Sequence, residues 1–271
     1  MSISSFVTGD GCRLAYETAG EGLPVLWQHG LGADRKQPAE VFPSIAGVRR
    51  ITLECRGHGE SSLCDPERLS IAGFAEDALA LLDHLHVAKA VVGGISLGAA
   101  IALRLAAFYP DRISGLILAR PAWVNGPSLE TMAPYLEVAT LLRDFGAEQG
   151  AQRFRQSPLL RRVEAVSPDN AQSLESFFTR PDPNSTILLL SKIAQDSPDI
   201  GGAFDRVVAP TLIVANHQDF VHPIAYAREL QAALPNAELE LITSKTIDRQ
   251  AYVTEFKAAL SAFLGKLGAA S

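Results

Sequence analysis

No run of about 18 consecutive apolar residues occurs in the 271-residue chain, so no membrane-spanning helix is expected. The N-terminal MSISSFVTGDG lacks a basic segment followed by an apolar core, so no signal peptide is expected. Cysteine is scarce. Cys12, Cys55 and Cys64 are odd in number and show neither a C-x-x-C pair nor metal-ligand spacing. They read as free thiols in a reducing compartment, which makes the cytoplasm the expected location. No ligand cluster or nucleotide motif is present, so neither a metal nor an organic cofactor is expected. The basic residues are scattered and the net charge is −6. That argues against nucleic acid or an anionic membrane as partner and leaves a small molecule, with the oligomeric state open. Internal repeats and low-complexity tracts are also missing.

What is present is ordinary globular material, 47% hydrophobic and 20% charged, enough for a sizeable core. CRLAYET (Cys12 to Thr18) alternates after the turn GDG and reads as a hairpin strand. PVLWQ, RRITLEC, KAVVGGI, GLILAR, PTLIVAN and AELELIT follow as short apolar runs. Such near-continuous runs suit strands buried on both faces of a parallel sheet. Helical patterns lie between them at Ser70 to Leu85, Leu97 to Phe108, Ile224 to Leu234 and Tyr252 to Leu264. The alternation predicts an α/β fold with a mostly parallel sheet flanked by helices. From Pro121 to Phe204 the pattern is helical with repeated prolines and no clear strand. This predicts a helical lid at 121–204 on a core made of 1–120 and 205–271, the alternative being extra helices packed on one side.

Gly94-Ile95-Ser96-Leu97-Gly98 is a G-x-S-x-G pentapeptide entered by a buried strand and left by an Ala-rich helix. A turn that sharp strains the serine backbone and displays its hydroxyl at the C-terminal edge of the sheet. The Leu97 N–H, at a helix start, can point at a developing oxyanion. Gln28-His29-Gly30-Leu31-Gly32 follows an earlier strand, and the Leu31 N–H can supply a second donor. His29 reads as a residue that shapes this loop or borders the substrate.

With these pieces in hand the chain resembles the α/β-hydrolase superfamily, in its compact lidded branch of esterases, lactonases and carbon–carbon bond hydrolases. The resemblance rests on His29-Gly30, on Arg56-Gly57-His58-Gly59-Glu60-Ser61 and on the Gly94 to Gly98 elbow, and it covers essentially the whole chain. It implies an eight-strand-type sheet, a lid and a Ser–His–acid triad. The motifs specify the fold far more than the substrate.

The resemblance places the acid at Asp219 and the histidine near Thr246, with Lys245 and Asp248 as neighbours. No histidine is there: all six lie at or before His222. Four readings follow. His222 can act as base from the acid's own loop, supported by Asp248 or by Asp219. Lys245 can be the base if burial lowers its pKa, or else an electrostatic clamp for an anionic substrate. The cavity can bind a ligand without hydrolysis. Or His222 and Lys245 can serve as an acid–base pair for proton transfer within a bound substrate. The expectation adopted is a hydrolase of small carboxylic esters or lactones acting through Ser96. His222 is its base, Leu31 and Leu97 its oxyanion donors, and Lys245, His29 and the lid residue Trp123 its substrate contacts. The alternative is a silent relative that binds a small ligand. Phe177, Phe178 and Tyr135 either line an apolar pocket or hold the lid together.

Overall fold

The computed structural model describes residues 3–269. In chain order the strands are β1 (Ile3–Val7), β2 (Arg13–Ala19), β3 (Leu23–Gln28), β4 (Val48–Leu53), β5 (Ala90–Ile95), β6 (Ile113–Ala119), β7 (Thr211–Ala215) and β8 (Ala237–Leu241). The helices are α1 (Lys36–Val41), α2 (Ile71–His84), α3 (Leu97–Phe108), α4 (Leu129–Arg155), α5 (Pro158–Val166), α6 (Pro168–Glu175), α7 (Pro183–Ile193), α8 (Ile224–Ala233) and α9 (Arg249–Ala269). The eight strands form one sheet in the order β1-β2-β4-β3-β5-β6-β7-β8. β2 pairs antiparallel with both β1 and β4, and every pairing from β4 to β8 is parallel.

The apolar runs are explained by two separate cores, one on each face. Leu26, Val92, Leu116, Leu118 and Ile213 point to one face, where α2, α3 and α8 pack. Their neighbours Val25, Trp27, Val91, Ile117, Leu212 and Val214 point to the other, where Tyr252, Phe256, Leu260 and Phe263 of α9 cover them. A period-2 strand buried on both sides leaves few positions for polar residues, and Gln28 of β3 and Arg50 and Thr52 of β4 are buried with the rest. β3 and β5 lie side by side while β4, the strand between them in sequence, lies on the far side of β3. This reversal opens a crevice at the C-terminal ends of β3 and β5, the usual ligand position in open α/β sheets. Among the described residues no helix is long and apolar enough to cross a membrane.

Between β6 and β7 the chain is helical. The prolines that break the sequence pattern start helices there: Pro158, Pro168 and Pro183 each follow a cap, Ser157, Ser167 or Asp182, whose side chain accepts an N–H of the first turn.

One expectation needs correction. Cys12 and Cys64 are not free thiols but a disulfide closing 52 residues. β2 and β4 are neighbours, and the Ser62 N–H donates to the Arg13 carbonyl beyond the end of their ladder, which brings the two cysteines together. Sequence spacing carries no trace of that pairing. Cys55 alone stays free, and burial pushes its thiol pKa up, so it is inert. The thiol argument for a reducing compartment therefore lapses.

Candidate active site

Ser96 stands between β5 and α3 with φ 56° and ψ −109°, in a region that L-residues rarely adopt. Its N–H donates to the Ala119 carbonyl, and its own carbonyl accepts from the Ala99 N–H. The flanking glycines make the turn possible. A Cβ at Gly94 would lie 2.7 Å from the Gly98 Cα, and one at Gly98 would lie 2.6 Å from the Gln28 carbonyl oxygen. The strand and helix approach too closely there for any side chain. Leu97 opens α3, so its N–H has no partner within the helix.

Two imidazoles hold the loop after β3. His29 Nδ1–H donates to the Gly30 carbonyl at 2.8 Å, and its Nε2 accepts the Cys55 N–H at 3.0 Å. His58 Nδ1–H donates to the Arg56 carbonyl at 2.9 Å, and its Nε2 accepts the Gly32 N–H at 3.0 Å. Each ring is buried, accepts on Nε2 and must be neutral to do so. Burial pushes both pKa values below that of an ordinary imidazole. Arg56, whose carbonyl accepts from His58, is itself ion-paired with Asp77 and Asp10. The Gln37 side-chain carbonyl accepts the Gly30 N–H at 2.7 Å.

A cavity of about 100 Å³ lies where these pieces meet. Gly30, Leu31 and Gln37 form one wall, Ile95 and Ser96 the floor, and Tyr135, Asp169, Asn170 and Ser173 come from the helices between β6 and β7. Arg120, Val221, His222 and Lys245 complete it. Ser96 is 8% exposed and His222 7%.

The His222 ring is set by Asp219. Its Nδ1 is 2.8 Å from Asp219 Oδ1, which also accepts the His222 backbone N–H at 3.1 Å. Arg120 donates to Asp219 Oδ2 through Nε at 2.7 Å and lies at 2.6 Å through Nη2. Burial opposes the Asp219 charge, but Arg120 and then His222 hold its carboxyl well below the usual carboxylate range. An ionised carboxylate only accepts, so Nδ1 carries the ring proton and Nε2 is left with a lone pair. Burial also pushes His222 below the ordinary imidazole value, against the pull of Asp219. Nε2 is buried and takes no hydrogen bond from any described residue, the Ser96 hydroxyl included. Arg120 itself, the last residue of GLILAR, has a φ of 46° and donates its N–H to the Val214 carbonyl.

Three other expected site residues lie outside this cavity. Asp248 is exposed and accepts the Ala251 N–H at 2.9 Å as the cap of α9, so it does not support His222. His29 spends both ring nitrogens on backbone and does not face the cavity. Trp123 is buried in the core and does not line the cavity either. Phe177 and Phe178 pack on Tyr135 and Phe154 inside the helical segment, so of these aromatic residues Tyr135 alone lines the cavity. Lys245 does reach the cavity. Its Nζ lies 5.1 Å from the centre of the Tyr252 ring and makes no ion pair with any described residue. Burial, then Arg120, lowers its pKa.

Arg120, Asp169, Asn170 and Gln37 had gone unread in the sequence. Arg120 left a signal, a charged residue closing a buried apolar strand at the edge where the elbow also ends. Asn170 left none: it reaches 50 residues along the chain to accept the Phe220 and Val221 N–H groups at 2.9 and 3.1 Å.

Comparison with known proteins agrees with this fold. A family model described as alpha/beta hydrolase fold matches residues 24–245. The acetyltransferase component of the acetoin cleaving system of Pseudomonas putida is 38% identical over 121 residues, 42% of this chain but 32% of that protein. The chain thus spans about a third of that relative's length. The 2-hydroxymuconate semialdehyde hydrolase of Pseudomonas putida is 28% identical over 251 residues, 85% of this chain and 83% of that protein. A solved hydrolase from Pseudomonas aeruginosa PA01 superimposes with a TM-score of 0.74 at 26% identity, covering 97% of this chain and 98% of that one.

Proposed function

The chain belongs to the alpha/beta hydrolase fold family, and from that premise we propose that it hydrolyses a small carboxylic ester or lactone through an acyl-enzyme at Ser96, with His222 as the base. The observation that carries this reading is the His222 Nε2 lone pair, buried and unpartnered in the wall of the cavity that also holds Ser96. An imidazole whose other nitrogen is fixed by an ionised carboxylate is the standard companion of a serine nucleophile. Here it comes from the loop after β7 instead of the loop after β8. Residues 245–248 in that second loop contain no histidine.

In this mechanism Ser96 Oγ attacks the substrate carbonyl and its proton passes to Nε2. Asp219 stabilises the resulting imidazolium without accepting its proton. The Leu31 and Leu97 N–H groups bind the oxyanion, each donor being worth on the order of 10²–10³ in rate. Nε2 then protonates the leaving alkoxide, and the ester bond breaks. A water, losing its proton to Nε2, attacks the acyl carbonyl. Collapse returns the proton to Ser96 and frees the acid. In a lactone the leaving alkoxide stays attached to the acyl group, and one product results.

A second reading has its own observation. Nε2 and the Ser96 hydroxyl are not hydrogen-bonded. A protein that only holds a ligand needs no such contact, whereas a hydrolase can tighten it when substrate binds. A panel of nitrophenyl esters and small lactones separates the two. Turnover that disappears in Ser96→Ala supports the hydrolase. Absence of turnover, together with ligands that raise the melting temperature, supports the binder.

A further inference from the structure

The free hydrogen-bonding groups around the cavity are mostly donors. The Gln37 side-chain carbonyl is taken by the Gly30 N–H, which leaves its NH₂ free. Asn170 Oδ1 is taken by two backbone N–H groups, which leaves its NH₂ free as well. Tyr135 lines the cavity, its hydroxyl makes no hydrogen bond with any described residue, and burial raises its pKa, so it remains a donor. Lys245 brings three N–H groups and a charge. Its backbone is held on both sides: Ser244 Oγ donates to the Gln218 carbonyl at 3.2 Å, and Thr246 Oγ1 lies 3.3 Å from Ser167 Oγ. The lysine between these two tethers lines the cavity while Ile247 and Asp248 face solvent.

A half-buried ammonium with no acid partner is costly unless something offsets it. Asp219 is occupied by Arg120 and His222. Asp169 is the remaining carboxylate at the cavity. It is 32% exposed and 3.9 Å from Arg120, so water and the guanidinium screen it, and it forms no ion pair with Lys245.

We propose that the acyl compound cleaved at Ser96 carries a second, ionised carboxyl group. The Lys245 ammonium binds that carboxylate, with the Tyr135 hydroxyl and the Asn170 amide as neutral donors. The substrate class is a short half-ester, or a carboxylated lactone, of a dicarboxylic acid. This rests on the hydrolase reading for the bond broken, but not for the anion bound.

The test compares monomethyl glutarate with methyl pentanoate, which share a five-carbon acyl chain and differ in terminal charge, with methanol release as the readout. The wild type should prefer the half-ester in kcat/KM by about 10–100-fold, the range of a charge-assisted hydrogen bond. Lys245→Met should bring the preference near parity, and Lys245→Arg should retain most of it. Lys245→Met should melt no lower than the parent, because it removes an unpaired charge. Equal or better cleavage of methyl pentanoate by the wild type overturns the proposal and leaves the hydrolase standing. An undiminished preference in Lys245→Met does the same. Binding is read separately, from the melting temperature of Ser96→Ala in monomethyl glutarate. If neither ester is cleaved but the half-ester stabilises Ser96→Ala and not Ser96→Ala/Lys245→Met, the anion site stands and the hydrolase reading falls. If neither ester is cleaved and the half-ester does not stabilise Ser96→Ala, the anion site falls too.

Discussion

Asp219 touches a guanidinium, an imidazole and a backbone N–H, whereas Asp248 touches one N–H at the start of α9. The two carboxylates sit on neighbouring loops and look alike in sequence; only their contacts separate them. Asp219→Asn removes the charge that fixes the His222 tautomer and pairs the buried Arg120. It should lower kcat by about 10²–10⁴-fold and cost about 3 kcal/mol or more of stability. Asp248→Asn should change stability by less than ~0.5 kcal/mol, since asparagine caps a helix as well as aspartate does. Turnover and urea midpoints of the two variants check this. Equal effects would remove the assignment of Asp219 as the partner of His222.

At the scale of elements, the loop after β3 owes its shape to two neutral rings. His29 and His58 each accept a backbone N–H on Nε2, and a proton there would oppose a donor at 3.0 Å. His222 is likewise held below its ordinary pKa by burial. For a group whose folded pKa is depressed, the stability it contributes is present in full above the unfolded pKa. It is lost as pH falls from there through the folded value. The unfolded imidazole value is about 6.5, so the loss should begin just below it. Each such ring can add up to about 1.4 kcal/mol per pH unit while only the unfolded chain takes the proton. The depressed carboxylates Asp10 and Asp219 lose their share only below about pH 4. The urea midpoint should therefore fall between pH 7 and pH 5.5, and His58→Gln should flatten that fall. A midpoint constant across this range would contradict the neutral-ring account.

Across the whole molecule, the sheet was legible chiefly because, of its strands, β3 to β7 are largely buried on both faces and so are written as short apolar runs, whereas β2 and β8 showed by alternation and by the turns that bound them. Seven of them were read to within two residues of each end, while β1, a mostly exposed strand with only Phe6 buried, carries too little pattern to be seen. The elbow was legible because Gly94 and Gly98 answer a local steric demand. The acid–imidazole pair was half legible: three residues separate Asp219 from His222, but the choice of carboxylate depends on Arg120, 99 residues away. The disulfide between Cys12 and Cys64 and the reach of Asn170 were illegible, because each joins residues that only the folded chain makes neighbours. The central claim is that an imidazole from the acid's own loop activates the elbow serine. It can be tested without knowing the substrate, from the rate at which a fluorophosphonate labels Ser96 as a function of pH. The account predicts labelling in the wild type with an inflection below the ordinary imidazole pKa of about 6.5, and at least ~10²-fold slower labelling in His222→Gln. Labelling at an undiminished rate in His222→Gln, or none at Ser96 in the wild type, would contradict it.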